Sequence, residues 1–262
     1  MGHSCFRLRL IPLAALALFA GCGTGEYNRR FQVALTESGR AAVFDTNLDP
    51  SYRDVTDTAA APTGVQLRLP TKFDQHAKAL PPTEARAQPP FLKIPGFSYA
   101  LERRWDDDAG QFAPLYCYIA AAPKGEDQPD ALLTGVQTQV AATFPQAAWQ
   151  DTTASSPTGG SIAVKKLTAT GEQEFDIGEG AGPIEKKDGR FELFFYEGPA
   201  HYIFIGFRGP TGQWTKQQMD AAVQAAVGTI RAGGAPAPAA AAPADGQPMP
   251  ADPSAPAAPA TP

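Results

Sequence analysis

The chain has 262 residues, with 27 Asp and Glu against 22 Lys and Arg, for a net charge of −5. The two signs are interspersed, so the clustered basic face that nucleic acid requires is not expected. The three cysteines and three histidines show no metal-ligand spacing of the His/Cys kind, and neither a metal nor another cofactor is expected.

In chain order, Arg7 and Arg9 come first and are followed by an apolar stretch from Leu10 to Ala20. A stretch of this length fits a signal-peptide core of about 7–15 residues and falls short of the ~20 residues that span a bilayer. Pro12 within it would weaken a permanent helix. The small residues Ala20 and Gly21 then precede Cys22, and "FAGC" resembles a bacterial lipoprotein lipobox, which ends in Ala/Ser-Gly/Ala-Cys. The resemblance implies removal of residues 1–21 as a signal peptide, a thioether-linked diacylglycerol on Cys22, and acylation of the new amino terminus. Several acyl chains, at about 0.8 kcal/mol per buried CH2, hold a protein on a membrane far better than one. Gly23 stands where Asp would mark inner-membrane retention, so an outer-membrane anchor facing the periplasm is favoured. Met1-Gly2 is not a myristoylation start, because Phe6 occupies the place of the required Ser or Thr.

Residues 22–63 read as a tether, within which Phe31, Leu35 and Val43 recur at a loose helical spacing. The folded body is expected over residues 64–232. "GVQLRLP" alternates Val65, Leu67 and Leu69 with Gln66 and Arg68, predicting a strand with one buried face. "PPTEARAQPP" predicts an extended loop, and "FSYALERRW" and "PLYCYIAA" a strand pair joined through "DDDAGQFA". With Cys5 in the leader and Cys22 lipidated, Cys117 has no disulfide partner and reads as a small buried hydrophobe.

From Pro129 the period changes. Leu132, Leu133, Val136, Val140 and Phe144 fall on one side of a helix that Pro145 ends. "SIAVKKLTAT" and "EFDI" predict two further strands, and Asp188-Gly189 in "KKDGRF" a tight hairpin turn. "RFELFFYEG" and "HYIFIGFRG", joined across Gly198-Pro199-Ala200, are apolar on both faces and belong in the centre of a sheet. The last helix is expected to be capped by Thr215 with Gln218 three residues on, and to carry Met219, Ala222, Val223, Ala226, Val227 and Ile230 as a stripe against that sheet. Residues 233–262 are almost all Ala and Pro, which cannot form a core, and predict a disordered, polyproline-like tail.

The order β-β-β-α-β-β-β-β-α, with "GVQLRLP" near its start and "HYIFIGFRGP…MDAAVQAAVGTI" at its end, resembles the PsbP-like α/β/α sandwich superfamily. That resemblance implies an α+β fold, an antiparallel sheet of about six or seven strands packed with two helices, which the composition of the chain on either side flanks with disordered segments. It implies roles in binding or assembly and supplies no functional residue.

No stretch carries an enzyme's signature. "WDDDAG" fits a calcium loop poorly, since its glycine comes one place early and Cys117 falls where the bidentate acid belongs. "SSPTGGS" lacks both the nucleophile elbow and the P-loop pattern and reads as a connector between a helix and a strand. Glu172, Glu174 and Asp176 alternate and are expected on one exposed strand face. Of the aromatic residues, Trp105, Tyr196, Tyr202 and Trp214 are the candidates for contact with a ligand or partner. The reading is a non-catalytic lipoprotein of the bacterial cell envelope, attached through Cys22, whose domain binds a protein partner or helps assemble a complex. The alternative is a small-molecule or polysaccharide-binding lipoprotein with an aromatic-lined cleft.

Overall fold

A computed structural model describes residues 11–56, 62–107, 110–125, 129–178 and 183–232, with side chains from residue 28 onward except those at 62 and 98. The expectations for residues 1–10 and for the Ala/Pro tail, residues 233–262, therefore lie outside the described residues, as does the side chain of Cys22.

The fold is α+β, built on a seven-stranded antiparallel sheet in the order β3-β4-β5-β9-β8-β7-β6. Its strands are β3 (Lys78–Leu80), β4 (Phe97–Asp106), β5 (Phe112–Pro123), β6 (Trp149–Ser155), β7 (Ser161–Asp176), β8 (Ile184–Glu197) and β9 (His201–Pro210). The hairpin expected to be central is central: Phe194 pairs with Ile205 and Leu193 with Gly206, and β9 continues onto β5. A second, three-stranded sheet is formed by β1 (Leu48–Thr56), β2 (Pro62–Pro70) and β10 (Arg231–Ala232).

Strand alternation divides the large sheet into two buried faces. On one face Leu115, Cys117 and Ile119 of β5, with Ile203, Ile205 and Phe207 of β9, pack against the small sheet's Val65, Leu67 and Leu69. Also on this face are two helices near the carboxy end, α3 (Thr211–Lys216) and α4 (Met219–Gly228), and Phe44 from the first helix, α1 (Ile11–Asn47). The expected α4 stripe of Met219, Val223, Ala226, Val227 and Ile230 is buried here. On the other face Tyr116, Tyr118, Phe191, Leu193 and Phe204 pack against α2 (Pro129–Ala141) through Leu133, Val136 and Val140.

The structure differs from the expectations in several places. Packing begins before residue 64: Phe44, Leu48 and Val55, assigned to the tether, are buried in the core. β1 escapes the sequence pattern because Pro50 and a register shift between Leu48 and Tyr52 interrupt its alternation. The two strands expected between Ser161 and Asp176 are one, β7, and the serine-glycine segment joins two strands, β6 and β7, in a turn closed by Ser156 N–H donating to the Gly160 carbonyl at 2.9 Å. Thr215 caps nothing: it lies inside α3 and donates to the Thr211 carbonyl, while Gln218, at φ 54°, forms the left-handed joint to α4.

Asp188-Gly189 is not a turn. Both residues lie within β8, opposite Glu172 and Gly171, and β7 and β8 are joined farther on, beyond the pair in which Ile177 N–H donates to the Pro183 carbonyl. Gly189 is required by close packing: a Cβ there would stand 2.8 Å from the Phe175 ring. Its partner Gly171, at φ 137°, takes a conformation that side chains disfavour.

The facing glycines have a consequence for the hairpin beyond them. β4 and β7 are four strand spacings apart, roughly 19 Å in a flat sheet. Yet Arg104 of β4 meets Asp176 of β7 at 3.2 Å, and Arg208 of β9 donates to the Glu174 carbonyl. The distal part of the β7–β8 hairpin is therefore an arm folded back over the α2 face of its own sheet.

Candidate binding cleft under the folded arm

A buried group of charges latches the arm. Glu102 and Asp176 are 3% and 8% exposed, and the Arg86 and Arg104 side chains 23% and 17%. Arg86 Nη1 donates to both Glu102 oxygens at 3.0 Å and stands 3.4 Å from Asp176 Oδ2. Arg104 Nη2 meets Glu102 Oε1 at 2.9 Å, and Arg104 Nη1 donates to the Gly178 carbonyl. Burial works against the charge on Arg104, but its bonds to Glu102 and Asp176 outweigh it and raise the guanidinium's pKa. Asp176 is thus not on the exposed face with Glu172 and Glu174, because the curl of the arm turns it inward. A second latch joins Lys187 of the arm to Asp107 at 3.2 Å and to Gln111 at 3.0 Å.

Arg86 belongs to the loop between β3 and β4, so the same charges hold that loop over the sheet. The loop is tied to α2 as well, since Lys93 N–H donates to Gln139 Oε1 at 2.9 Å. Phe91 is thereby wedged edge-on against Phe144, at 5.0 Å between centroids, and against Phe191 at 5.3 Å.

Arm, loop and the end of α2 enclose a cleft of about 280 Å³, lined by Pro90 and Phe91, by Thr143 and Phe144, by Glu172, Gln173 and Glu174, and by Lys186. Under it lies Arg208, 4% exposed, its guanidinium 4.4 Å from the Phe175 ring and 5.6 Å from that of Tyr116. Among the described residues no carboxylate forms an ion pair with Arg208. Its Nε donates to Gln173 Oε1 at 2.9 Å, and Nη2 to the Glu174 carbonyl. The Nε2 of Gln173 is buried and has no hydrogen-bond partner among the described residues, a state that costs about 1–3 kcal/mol. Burial, opposed by Arg208, pushes the Tyr118 hydroxyl up to about 12, and burial raises the Tyr116 hydroxyl too.

The four aromatic residues singled out in the sequence do not line this cleft, nor do they converge. Trp105, Tyr196 and Trp214 belong to the core on the α4 side and Tyr202 to that on the α2 side. Trp105 pairs with Ala113, whereas Tyr196 pairs with Ile203, which in turn pairs with Ala121. That register puts Trp105 and Tyr196 about 27 Å apart along the strands. Trp214 is 1% exposed, with its Nε1 donating to Asp220 at 3.2 Å and Arg190 stacked on its ring. Tyr202 packs on Phe195. Cys117 is fully buried, and burial raises its thiol pKa well above the usual range. Among the described residues no His, Cys, Asp and Glu gather to hold a metal.

A further cavity of about 270 Å³ lies beside the 156–160 turn, where Arg231 stacks over Tyr52 at 3.7 Å.

No protein-family model matches the chain, and no curated protein matches it. Among solved structures the chain is similar to LpqN, described as involved in cell envelope biogenesis of Mycobacterium tuberculosis. The match has 13% sequence identity, covers 72% of this chain and 94% of that one, and has a TM-score of 0.35, a likeness that transfers no role.

Proposed function

We propose that the chain is a non-catalytic lipoprotein of the bacterial envelope, held to a bilayer through acylated Cys22, whose α+β domain binds a protein partner. Attachment rests on the leader and on the resemblance of "FAGC" to a lipobox. Among the described residues no helix is long and apolar enough to cross a membrane.

The observation that supports partner binding is the placement of exposed apolar side chains. Among the described residues, five large ones are exposed, and four of them, Phe31, Val33, Leu35 and Val43, lie on α1. Phe31 and Leu35, four residues apart, share a helical face, and each is about half exposed (50% and 49%). Phe44, 3% exposed, docks the same helix on the domain. Phe31 follows Cys22 by nine residues, about 13 Å of helix, which would hold this apolar surface just above the lipid. A photo-cross-linking residue at position 35, activated in intact envelopes, is expected to capture one reproducible protein neighbour. Capture of lipid alone, or of nothing, would remove the partner-binding reading.

A further inference from the structure

From the way the arm seats on Arg208, we infer that it is a strap over a carboxylate-binding site. Gln173, Glu174 and Phe175 stand where a carboxylate with an apolar body would bind. This goes beyond the proposed attachment and partner binding and does not depend on them. Arg208 is a buried charge with no carboxylate in ion-pair contact among the described residues. The arm offers it two neutral oxygens instead: Nε donates to Gln173 Oε1 at 2.9 Å and Nη2 to the Glu174 carbonyl. Nε and Nη2 form one edge of the guanidinium, and a carboxylate binds such an edge through two parallel hydrogen bonds. Phe175, its ring 4.4 Å from the guanidinium, fills the apolar part of the same place.

The closed arm is an imperfect occupant. Gln173 Nε2 is buried beneath it without a partner among the described residues, and so is the Tyr118 hydroxyl beside Arg208. Both groups can donate, so the space under the arm is short of acceptors. Gly171 and Gly189 face each other where the arm leaves the sheet. Beyond them it is held by Asp176 on Arg104 and Arg86 and by Lys187 on Asp107, with Phe175 and Ile177 as its buried apolar side chains. Swinging the arm away about the glycine pair also removes Glu172 and Glu174, the acidic side chains that line the cleft. Left on the sheet are Arg208, the Tyr118 hydroxyl and walls of Phe91 and Tyr116, 5.8 and 5.6 Å from the guanidinium. Glu102, two strands away, stays neutralised by Arg86 and Arg104. These groups select the ligand. A cation would meet Arg208, and a phosphate monoester brings a second charge that Arg208 alone does not balance. The two oxygens of a carboxylate are both met by the guanidinium edge, and the aromatic walls suit an apolar body.

The test is a pulsed-EPR distance between the arm and α2 in the full chain in maltoside micelles. Spin labels go on Ile184→Cys and Thr138→Cys, both at exposed positions. The probes are 4-phenylbutyrate, 4-phenylbutanol and phenyl phosphate at millimolar concentration. The butyrate is expected to populate a longer distance, and the other two to leave the distribution unchanged. Its apparent Kd, read from that population, should tighten about two- to fivefold in Lys187→Ala, because a weaker latch raises the open fraction. It should weaken by at least about tenfold in Arg208→Gln, which keeps an amide donor toward Gln173 but loses the charge and the edge. Should Arg208→Gln fail to fold, the Lys187→Ala comparison decides alone. An unchanged distance with the butyrate in both the wild type and Lys187→Ala would overturn the inference. So would an equal response to the alcohol or the phosphate, an affinity unaltered by Lys187→Ala, or undiminished binding to a folded Arg208→Gln.

Discussion

The two faces of the large sheet are built from the same strands but filled differently. The α4 face is mostly aliphatic and aromatic: Ile203, Ile205, Phe207, Val223 and Val227 are each fully buried, and the carboxylate its strand β8 buries there, Glu192, is paired with Lys166 and Arg190. The α2 face buries Glu102, Gln173, Asp176 and Arg208 among its aromatic residues. Apolar packing alone would have covered both faces at lower cost, since buried ion pairs seldom add stability over apolar replacements. The polar side chains instead hold a hairpin arm in a fixed position over the sheet, and the cleft exists because the arm is there.

The largest effect should come from breaking the apolar face. Val223→Asp would bury an unpaired charge in the α4 contact and is expected to destabilise by more than about 4 kcal/mol, leaving no cooperative thermal transition. A soluble, cooperatively melting variant would contradict that packing. On the other face, Arg104→Ala leaves Glu102 and Asp176 with one fewer counter-charge. It should lose about 3–5 kcal/mol in urea unfolding, while Lys187→Ala, at the more exposed latch, should lose under about 1 kcal/mol. Similar losses for the two would mean that the buried charges do not hold the arm.

Gly189→Ala places a Cβ 2.8 Å from Phe175 and is expected to cost about 1–3 kcal/mol, with faster amide exchange confined to the arm. A further effect is alkaline. The Tyr118 hydroxyl, held up to about 12 by burial against an ordinary 10, stays protonated in the fold while the unfolded chain ionises. Tyr118 should therefore contribute a fall in stability of about 1.4 kcal/mol per pH unit between 10 and 12, on top of declines from the Cys117 thiol and the Tyr116 hydroxyl, whose pKa values burial also raises. Tyr118→Phe should flatten that part of the decline.

The apolar face could be read largely from the sequence. The alternation of Val65, Leu67 and Leu69, the α4 stripe and the density of the β8–β9 pair are local patterns, and each is buried as its period requires. The polar face could not be read in the same way. Asp176 alternates with two exposed glutamates, and its burial depends on Arg104, 72 residues away in the chain, and on Arg86, farther still. Gln173 lies between those glutamates with nothing local to mark it. Gly189 follows an aspartate, the commonest signature of a hairpin turn, although its role is to let an aromatic ring approach. The aromatic residues chosen from composition, Trp105, Tyr196, Tyr202 and Trp214, were divided between two cores by strand parity, whereas Phe91, in a proline-rich loop, became part of the cleft wall.

Attachment to the envelope is the claim on which the functional reading depends, and mass spectrometry of the amino-terminal peptide from purified envelopes tests it most directly. The expected species begins at Cys22 and carries a diacylglycerol thioether and an amide-linked acyl chain. A peptide that begins elsewhere, or an unmodified Cys22 thiol, would contradict it.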